Sequence, residues 1–445
     1  MDIFGKQKLN MKVREDFPIL NSQLSSQKKN TTAKKEKLIY FDNACVTLRP
    51  QVVIDAISSY YTNYSSCAGR SNHRLSRELD IALISAREVV SKFIGAKHSD
   101  EIIFTKNATE AMNLVANAFP FESGDVVLGS DKEHNSNLVP WLKLSKTKGI
   151  IYKVVESGAD GEFSLKNLEK EFAAAKKNKQ KVKLVSIHHI SNVDGTQIDV
   201  AAVTKLAHSY GALVLVDGCQ AAGHIPLDVK KLGVDFYAFS AHKMCGPSGM
   251  GALYASRDAQ NKFTEFDQFI VGGQTVKRTT HDSYMPLVGP AKFEAGLQDY
   301  AGIIGFAAAC KYISHVGVEK IEKHSLALNE LLTELLSNEI DSGKIKLLGP
   351  RDAKKRSSIF SFVVPNISQA SQTVQTEFAS LLDKSYGIAV RAGQHCVHSW
   401  FNMSKNSAIA NGSVRISLYF YNTEDEIKET AQAIRALLKL QSGEN

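Results

Sequence analysis

Asp217 and Lys243 are the first residues in this chain whose types and setting suggest chemistry. Asp217 ends the wholly apolar run Leu213-Val-Leu-Val216, where an unpartnered carboxylate would be costly to bury, so a cationic group is expected to face it. Twenty-six residues later, Lys243 lies in Ser240-Ala-His242-Lys243-Met-Cys245-Gly246-Pro247, between an apolar run and a Gly/Pro turn. A buried lysine with a buried carboxylate suits pyridoxal phosphate. The amine forms a Schiff base, and the aspartate keeps the pyridine nitrogen protonated, which makes the ring an electron sink. A structural Asp–Lys ion pair satisfies the same spacing. Asn107-Ala108-Thr109 follows the β-rich run Ile102–Thr105 and opens a helical pattern. Free N–H groups, the helix dipole and the Thr109 hydroxyl could hold a phosphate there, although a threonine near a helix start also serves as a cap. His134 follows Val126–Ser130, where its imidazole could lie over a flat ring or be merely structural.

Cys396 and Arg415 would decide the reaction. Cys396 follows Gly387-Ile-Ala-Val-Arg391-Ala-Gly-Gln-His395 and precedes His398. A thiol of ordinary pKa, about 8.5, is only a few per cent thiolate at pH 7, and neighbouring positive charge raises that fraction, which suits a nucleophile for sulfur. The alternatives are an inert buried cysteine or a Cys/His metal site, for which neither a CxxC partner nor a fourth ligand is evident, so no metal is expected. In Val414-Arg415-Ile-Ser-Leu-Tyr-Phe420, alternation puts Val, Ile, Leu and Phe on one face and Arg, Ser and Tyr on the other. Arg415 then points away from the local core, where a carboxylate clamp is worth about 1.5–3 kcal/mol per charged hydrogen bond. Spacing alone also allows a surface arginine.

The elements that must position these residues alternate. From about 38 to 256, short β-rich runs alternate with helical periodicity, which argues for parallel strands covered by helices. Runs such as 184–187 and 213–216 are apolar at nearly every position, as strands buried on both faces are, and ligands collect beyond the carboxyl ends of such strands. After about 318 the pattern changes to long amphipathic helices and then strands. The fold expected is α/β: a large domain (38–318) with a mainly parallel sheet covered by helices that binds pyridoxal phosphate, and a smaller C-terminal α+β domain (319–445). A basic N-terminal segment with a polar insert (1–37) precedes them.

The 445 residues carry 54 Lys/Arg against 46 Asp/Glu, a net charge of +8, of which residues 1–37 hold nine basic against four acidic. The body is therefore nearly neutral, and the basic lead reads as a solvated extension rather than a nucleic-acid arm. With 43% hydrophobic and 22% charged residues, the chain is expected to fold as a globular protein. No apolar run approaches the ~18–20 residues needed to cross a bilayer. Six cysteines without a CxxC pair, and an N-terminus without a secretory apolar core, lead to the expectation of a reducing cytoplasm.

The segments Tyr40-FDNA, 106–117 (KNATEAMNLVAN), 132–141 (KEHNSNLVPW), 189–196 (HISNVDGT), 213–229, 235–254, 293–296 (FEAG), 387–396 and 415–427 closely resemble, in order, the cysteine desulfurases of the class V aminotransferase family, fold-type I pyridoxal phosphate enzymes, nearest the Suf-type and selenocysteine lyase branch. The resemblance covers about residues 13–440. It implies that Lys243 forms the Schiff base, Asp217 pairs with the pyridinium nitrogen, Gln220 contacts the ring 3′-oxygen and His134 stacks on the ring. Ala108, Thr109, Ser240 and His242 would bind the phosphate, and Asn192 would lie near the 3′-oxygen and the substrate carboxylate. Arg415 would take that carboxylate, with Arg391 and His73 also in the substrate set, and Cys396 would receive sulfur from L-cysteine. The family further implies a homodimer and a sulfur-acceptor protein, such as an iron–sulfur scaffold, a tRNA-modifying enzyme or a carrier.

The chain also departs from the family's pattern. Cys45 stands where alanine is usual, Leu297-Gln298-Asp299 replaces Thr-Pro-Asn, and the stretch after Cys396 is longer. The rival readings are another class V enzyme, such as a selenocysteine lyase, aminotransferase or epimerase, in which Cys396 is not the sulfur acceptor, and a non-catalytic scaffold or nucleic-acid binder using the basic lead.

Overall fold

The apolar runs become the central layer of the computed structural model, which describes residues 11–21, 38–257, 259, 266–365, 374–404 and 407–442. Residues 1–10 of the basic lead and, apart from Asn21, the polar insert lie outside them. Seven strands stand side by side in the order Ile102–Thr105, Gly251–Ala255, Phe236–Ser240, Leu213–Asp217, Val182–His188, Val126–Ser130, Ile151–Val155. All run the same way except Gly251–Ala255, which is antiparallel to both neighbours. Side-chain alternation divides each strand between two cores. Val185, Ile187, Val214 and Val216 enter one, and Leu184, Leu213 and Leu215 enter the other, as a sheet covered on both faces requires.

Beyond this unit, an antiparallel sheet orders Lys346–Leu347, Ile359–Val363, Ser413–Ser417 and Arg391–Gly393. Val414, Ile416 and Leu418 pack with Leu382, Ile427 and Ile434 in its own core. Ile39–Tyr40, expected with the large domain, instead pairs in parallel with Ile388–Ala389, and Asp42 bridges to Ser417. Residues 39–47 thus cross from the small domain's strands to the large domain, where the Thr47 N–H donates to the His242 carbonyl.

Two further expectations change. The Arg415 strand ends at Ser417, so Tyr419, Phe420 and Tyr421 leave the alternation and join the large core. Phe17, in the segment read as a solvated lead, is fully buried against Phe420 and Tyr421, and Arg14 pairs with Glu426 at 2.8 Å. Apolar burial outweighs the local charge there. Among the described residues no single helix is long and apolar enough to cross a membrane.

Candidate active site

Three parallel strands, Val126–Ser130, Val182–His188 and Leu213–Asp217, deliver His134, Asn192 and Asp217 to one edge of the sheet. There, with Lys243, they line a cavity of about 210 Å³. Asp217 is buried, and its Oδ1 accepts the Cys219 N–H at 3.0 Å. His134 caps the helix Asn135–Lys148, its Nδ1 accepting the Ser136 N–H at 3.1 Å, which leaves the proton of the neutral ring on Nε2. Burial first, and then the Lys243 charge, push its pKa down to about 4. The same two causes take His242 to about 4. Both rings are therefore neutral at physiological pH.

Ala108, Thr109, Ser240 and His242 line the same cavity. Asn107 caps the helix Ala108–Ala118 by accepting the Glu110 N–H, the Ala108 N–H donates to Ser240 Oγ at 2.9 Å, and Thr109 Oγ1 lies 2.7 Å from Ser136 Oγ. A helix N-terminus with three hydroxyls is a donor set for a phosphate. Together with an amine and a buried carboxylate in the same cavity, the residues fit pyridoxal phosphate.

Arg391, His395, Cys396 and Arg415 bring the small domain to the same cavity. His395 and Cys396 both take left-handed φ values, +49° and +60°, which cost non-glycine residues about 1–3 kcal/mol each. Residues of the large domain hold the turn. Asn192 Nδ2 donates to the His395 carbonyl at 2.8 Å, and the Asn135 N–H donates to the Cys396 carbonyl at 2.7 Å. Burial, reinforced by Arg415 and Arg391, keeps His395 neutral.

Arg391 and Arg415 face each other across the antiparallel pair, an arrangement of like charges that is unfavourable unless an anion lies between them. Asp42 supplies one, 3.3 Å from Arg415 and 3.8 Å from Arg391. Two cations share one carboxylate, and Arg415, only 2% exposed, leaves Nε without a partner while Nη1 donates to the Asn192 carbonyl. Burial pulls Arg415 down and pushes Asp42 up from their usual pKa values. A second carboxylate would complete the group.

Two sequence candidates lie elsewhere. Gln220 is not in the lining; its Nε2 donates to the Ala44 carbonyl at 2.8 Å, so in this structure it positions the 42–45 turn rather than facing the cavity. His73 is exposed and caps the helix Arg74–Phe93, accepting the Ser76 N–H, away from the cavity of its own chain. Leu297 is 68% exposed and Asp299 caps the helix Tyr300–Val316, so the altered segment does not reshape this cavity. Sequence reasoning missed Asp42, Asn135 and Ser136 as parts of the site. Only the position of Ser136 beside a helix start offered a signal.

The family description "Aminotransferase class-V" matches residues 39–429. A probable cysteine desulfurase of Pyrococcus abyssi is 37% identical over 407 residues, covering 91% of this chain and 95% of that protein. A cysteine desulfurase of Haloferax volcanii is 34% identical over 435 residues, 96% of each. A probable cysteine desulfurase of Mycolicibacterium paratuberculosis, 37% identical over 428 residues, is longer, and the chain spans 58% of it. Among solved structures, the apo cysteine desulfurase of Thermococcus onnurineus superposes with a TM-score of 0.84 at 33% identity, covering 98% of this chain and all of that one. The S-sulfonic acid form of the cysteine desulfurase CsdA of Escherichia coli gives 0.80 at 27%, with the same coverage. Proteins of this family are pyridoxal phosphate enzymes. Because the match runs from the sheet that carries Lys243 to the strands that carry Cys396 and Arg415, the chain belongs to the class-V aminotransferase family, alongside proteins named cysteine desulfurases.

Proposed function

We propose that this protein is a pyridoxal phosphate-dependent cysteine desulfurase that converts L-cysteine to L-alanine and leaves the sulfur atom as a persulfide on Cys396. One observation carries this reading: a thiol on a strained, clamped turn lines the same cavity as a lysine, a buried carboxylate and an under-compensated arginine pair. When bound, pyridoxal phosphate supplies an electron-withdrawing ring that acidifies the amino acid's α-carbon. Lys243 would hold the cofactor's carbon end, Asp217 its ring nitrogen, and Ala108, Thr109, Ser240 and His242 its phosphate, with neutral His134 against the ring.

Arg415, with Arg391 and Asn192 beside it, orients the substrate carboxylate. Lys243 Nζ takes the α-proton and later returns a proton to the alanine product. Cys396 Sγ attacks the substrate sulfur, forming an S–S bond as the Cβ–S bond breaks. The balance is cysteine plus enzyme thiol giving alanine plus enzyme persulfide, and no external oxidant is needed.

A homodimer fits the exposed apolar side chains Val271, Tyr284, Met285, Val288 and Leu297, which cluster on and around the hairpin Val276–Thr279/Tyr284–Pro286. A thiol-bearing acceptor protein, of the kind that feeds iron–sulfur cluster assembly, would take the persulfide sulfur, and free cysteines suit a cytoplasmic setting. The test is alanine formation from L-cysteine by cofactor-loaded protein under reducing conditions. Cys396→Ala should fall to background while keeping the cofactor's absorbance. Full activity in that variant, or keto acid or racemised product in place of alanine, would overturn the reading.

A further inference from the structure

Three thiols, Cys45, Cys219 and Cys396, line the cavity, and the mechanism above uses one. Cys45 shares the lining with Cys396, whereas Cys219, also in the lining, is fully buried and pushed up to about 12, as is Cys245. Cys45 sits on the turn at 42–45, whose backbone is fixed from both domains. The Cys45 N–H donates to the Asp42 carbonyl, the Ala44 N–H to Ser417 Oγ, and Gln220 Nε2 to the Ala44 carbonyl. Arg391, five residues before Cys396 on the same strand and loop, donates from Nη1 to Cys45 Sγ at 3.1 Å. Arg415 lies within electrostatic reach of the same sulfur, and its buried Nε has no partner. The two guanidiniums outnumber the one carboxylate, Asp42, so hydrogen-bond donors already stand beside this sulfur.

Resting on the desulfurase reading, we propose that Cys45 is a second sulfur carrier, which takes the sulfane sulfur from the Cys396 persulfide and frees Cys396 for another turnover. Cys45 thiolate attacks the outer sulfur. A Cys45 Sγ–S bond forms, the Cys396 Sγ–S bond breaks, and Cys396 leaves as thiolate, with no change in electron count. The persulfide extends the Cys396 side chain by about 2 Å, the length of an S–S bond, and the anion formed on Cys45 is met by Arg391 and Arg415. The chain then stores two sulfur atoms where the family reaction requires one.

The experiment gives cofactor-loaded protein L-cysteine without reductant or acceptor, counts the alanine burst, and maps persulfides by alkylation and peptide mass spectrometry. Wild type should release about two alanines per chain and carry persulfide on both Cys45 and Cys396; Cys45→Ser should show a burst about two-fold smaller with persulfide on Cys396 alone. Cys396→Ala should label neither site. A wild-type burst of one with Cys396 alone labelled overturns the relay and leaves the desulfurase reading standing. Labelling of Cys45 in Cys396→Ala also overturns it, because Cys45 would then take sulfur directly from substrate. No alanine from wild type overturns the desulfurase reading itself.

Discussion

Removing the side chain of Asn192 tests what holds the reactive thiol in place, with saturating substrate and thiol alkylation separating that role from its place beside the substrate carboxylate. Asn192→Ala deletes the 2.8 Å hydrogen bond to the His395 carbonyl but keeps the main-chain oxygen that accepts from Arg415. The His395 carbonyl is left without that donor in a buried setting, a loss of about 1–3 kcal/mol. The left-handed φ values at His395 and Cys396 store strain of about 1–3 kcal/mol per residue. The lost bond is therefore about half of the summed strain at the two residues, and the turn should relax toward ordinary backbone. A shift of 1–3 kcal/mol depopulates the poised conformer about 5- to 150-fold. The rate of alanine formation should fall by that factor, with cofactor absorbance retained and the alkylation rate of Cys396 altered. The assay is alanine release at saturating cysteine, beside the absorbance spectrum. A rate within two-fold of wild type and unchanged Cys396 alkylation would show that this hydrogen bond does not hold the thiol.

Acid stability follows from the buried histidines. Burial, the largest cause in each case, keeps His134, His189, His224 and His242 at about 4 in the fold, whereas the unfolded chain protonates them near 6.5. These folded values are depressed, so the stability is fully present above about pH 6.5 and is lost as pH falls toward 4. Urea midpoints of the cofactor-free protein should drop between pH 7 and 5, and equal midpoints would contradict the neutral assignments. Lys132 meets Asp194 at 2.6 Å with both buried; Lys132→Met strands the carboxylate and should cost about 3–5 kcal/mol by denaturant titration, recovered in large part by adding Asp194→Leu. At Gly195, with φ +76°, a Cβ would stand 1.9 Å from the Arg356 carbonyl oxygen. Gly195→Ala should therefore lose about 2–6 kcal/mol from strain and overpacking, seen as a lowered melting temperature or loss of soluble protein.

Much of the candidate site was legible because local sequence carries it. A buried strand followed by a polar residue marks Asp217, His134 and Asn192 as members of one edge, and the apolar alternation around Arg415 gives its direction. The place of Asp42 and Cys45 in the site was illegible because it depends on a turn tied across the chain, through Ser417 and Gln220, to segments about 370 and 180 residues away. Ile39–Tyr40 reads as an opening strand of the large domain until its parallel pairing with Ile388–Ala389 is seen, a long-range choice that strand propensity does not encode. The end of the Arg415 strand at Ser417 is of the same kind: three aromatics leave the pleat because Phe17 offers them a larger core.

The crossing of residues 39–47 from one sheet to the other divides the chemistry between two bodies. Groups that would handle protons and the cofactor, Lys243, Asp217 and His134, stand on the large sheet. Those that would handle sulfur and the substrate's carboxylate, Cys396, Arg391 and Arg415, stand on or beside the small one, with Cys45 on the strap between them. Such a partition lets one half be rewritten while the other is kept. Changes in the small sheet or in the strap would redirect what happens to an activated amino acid without touching how it is activated.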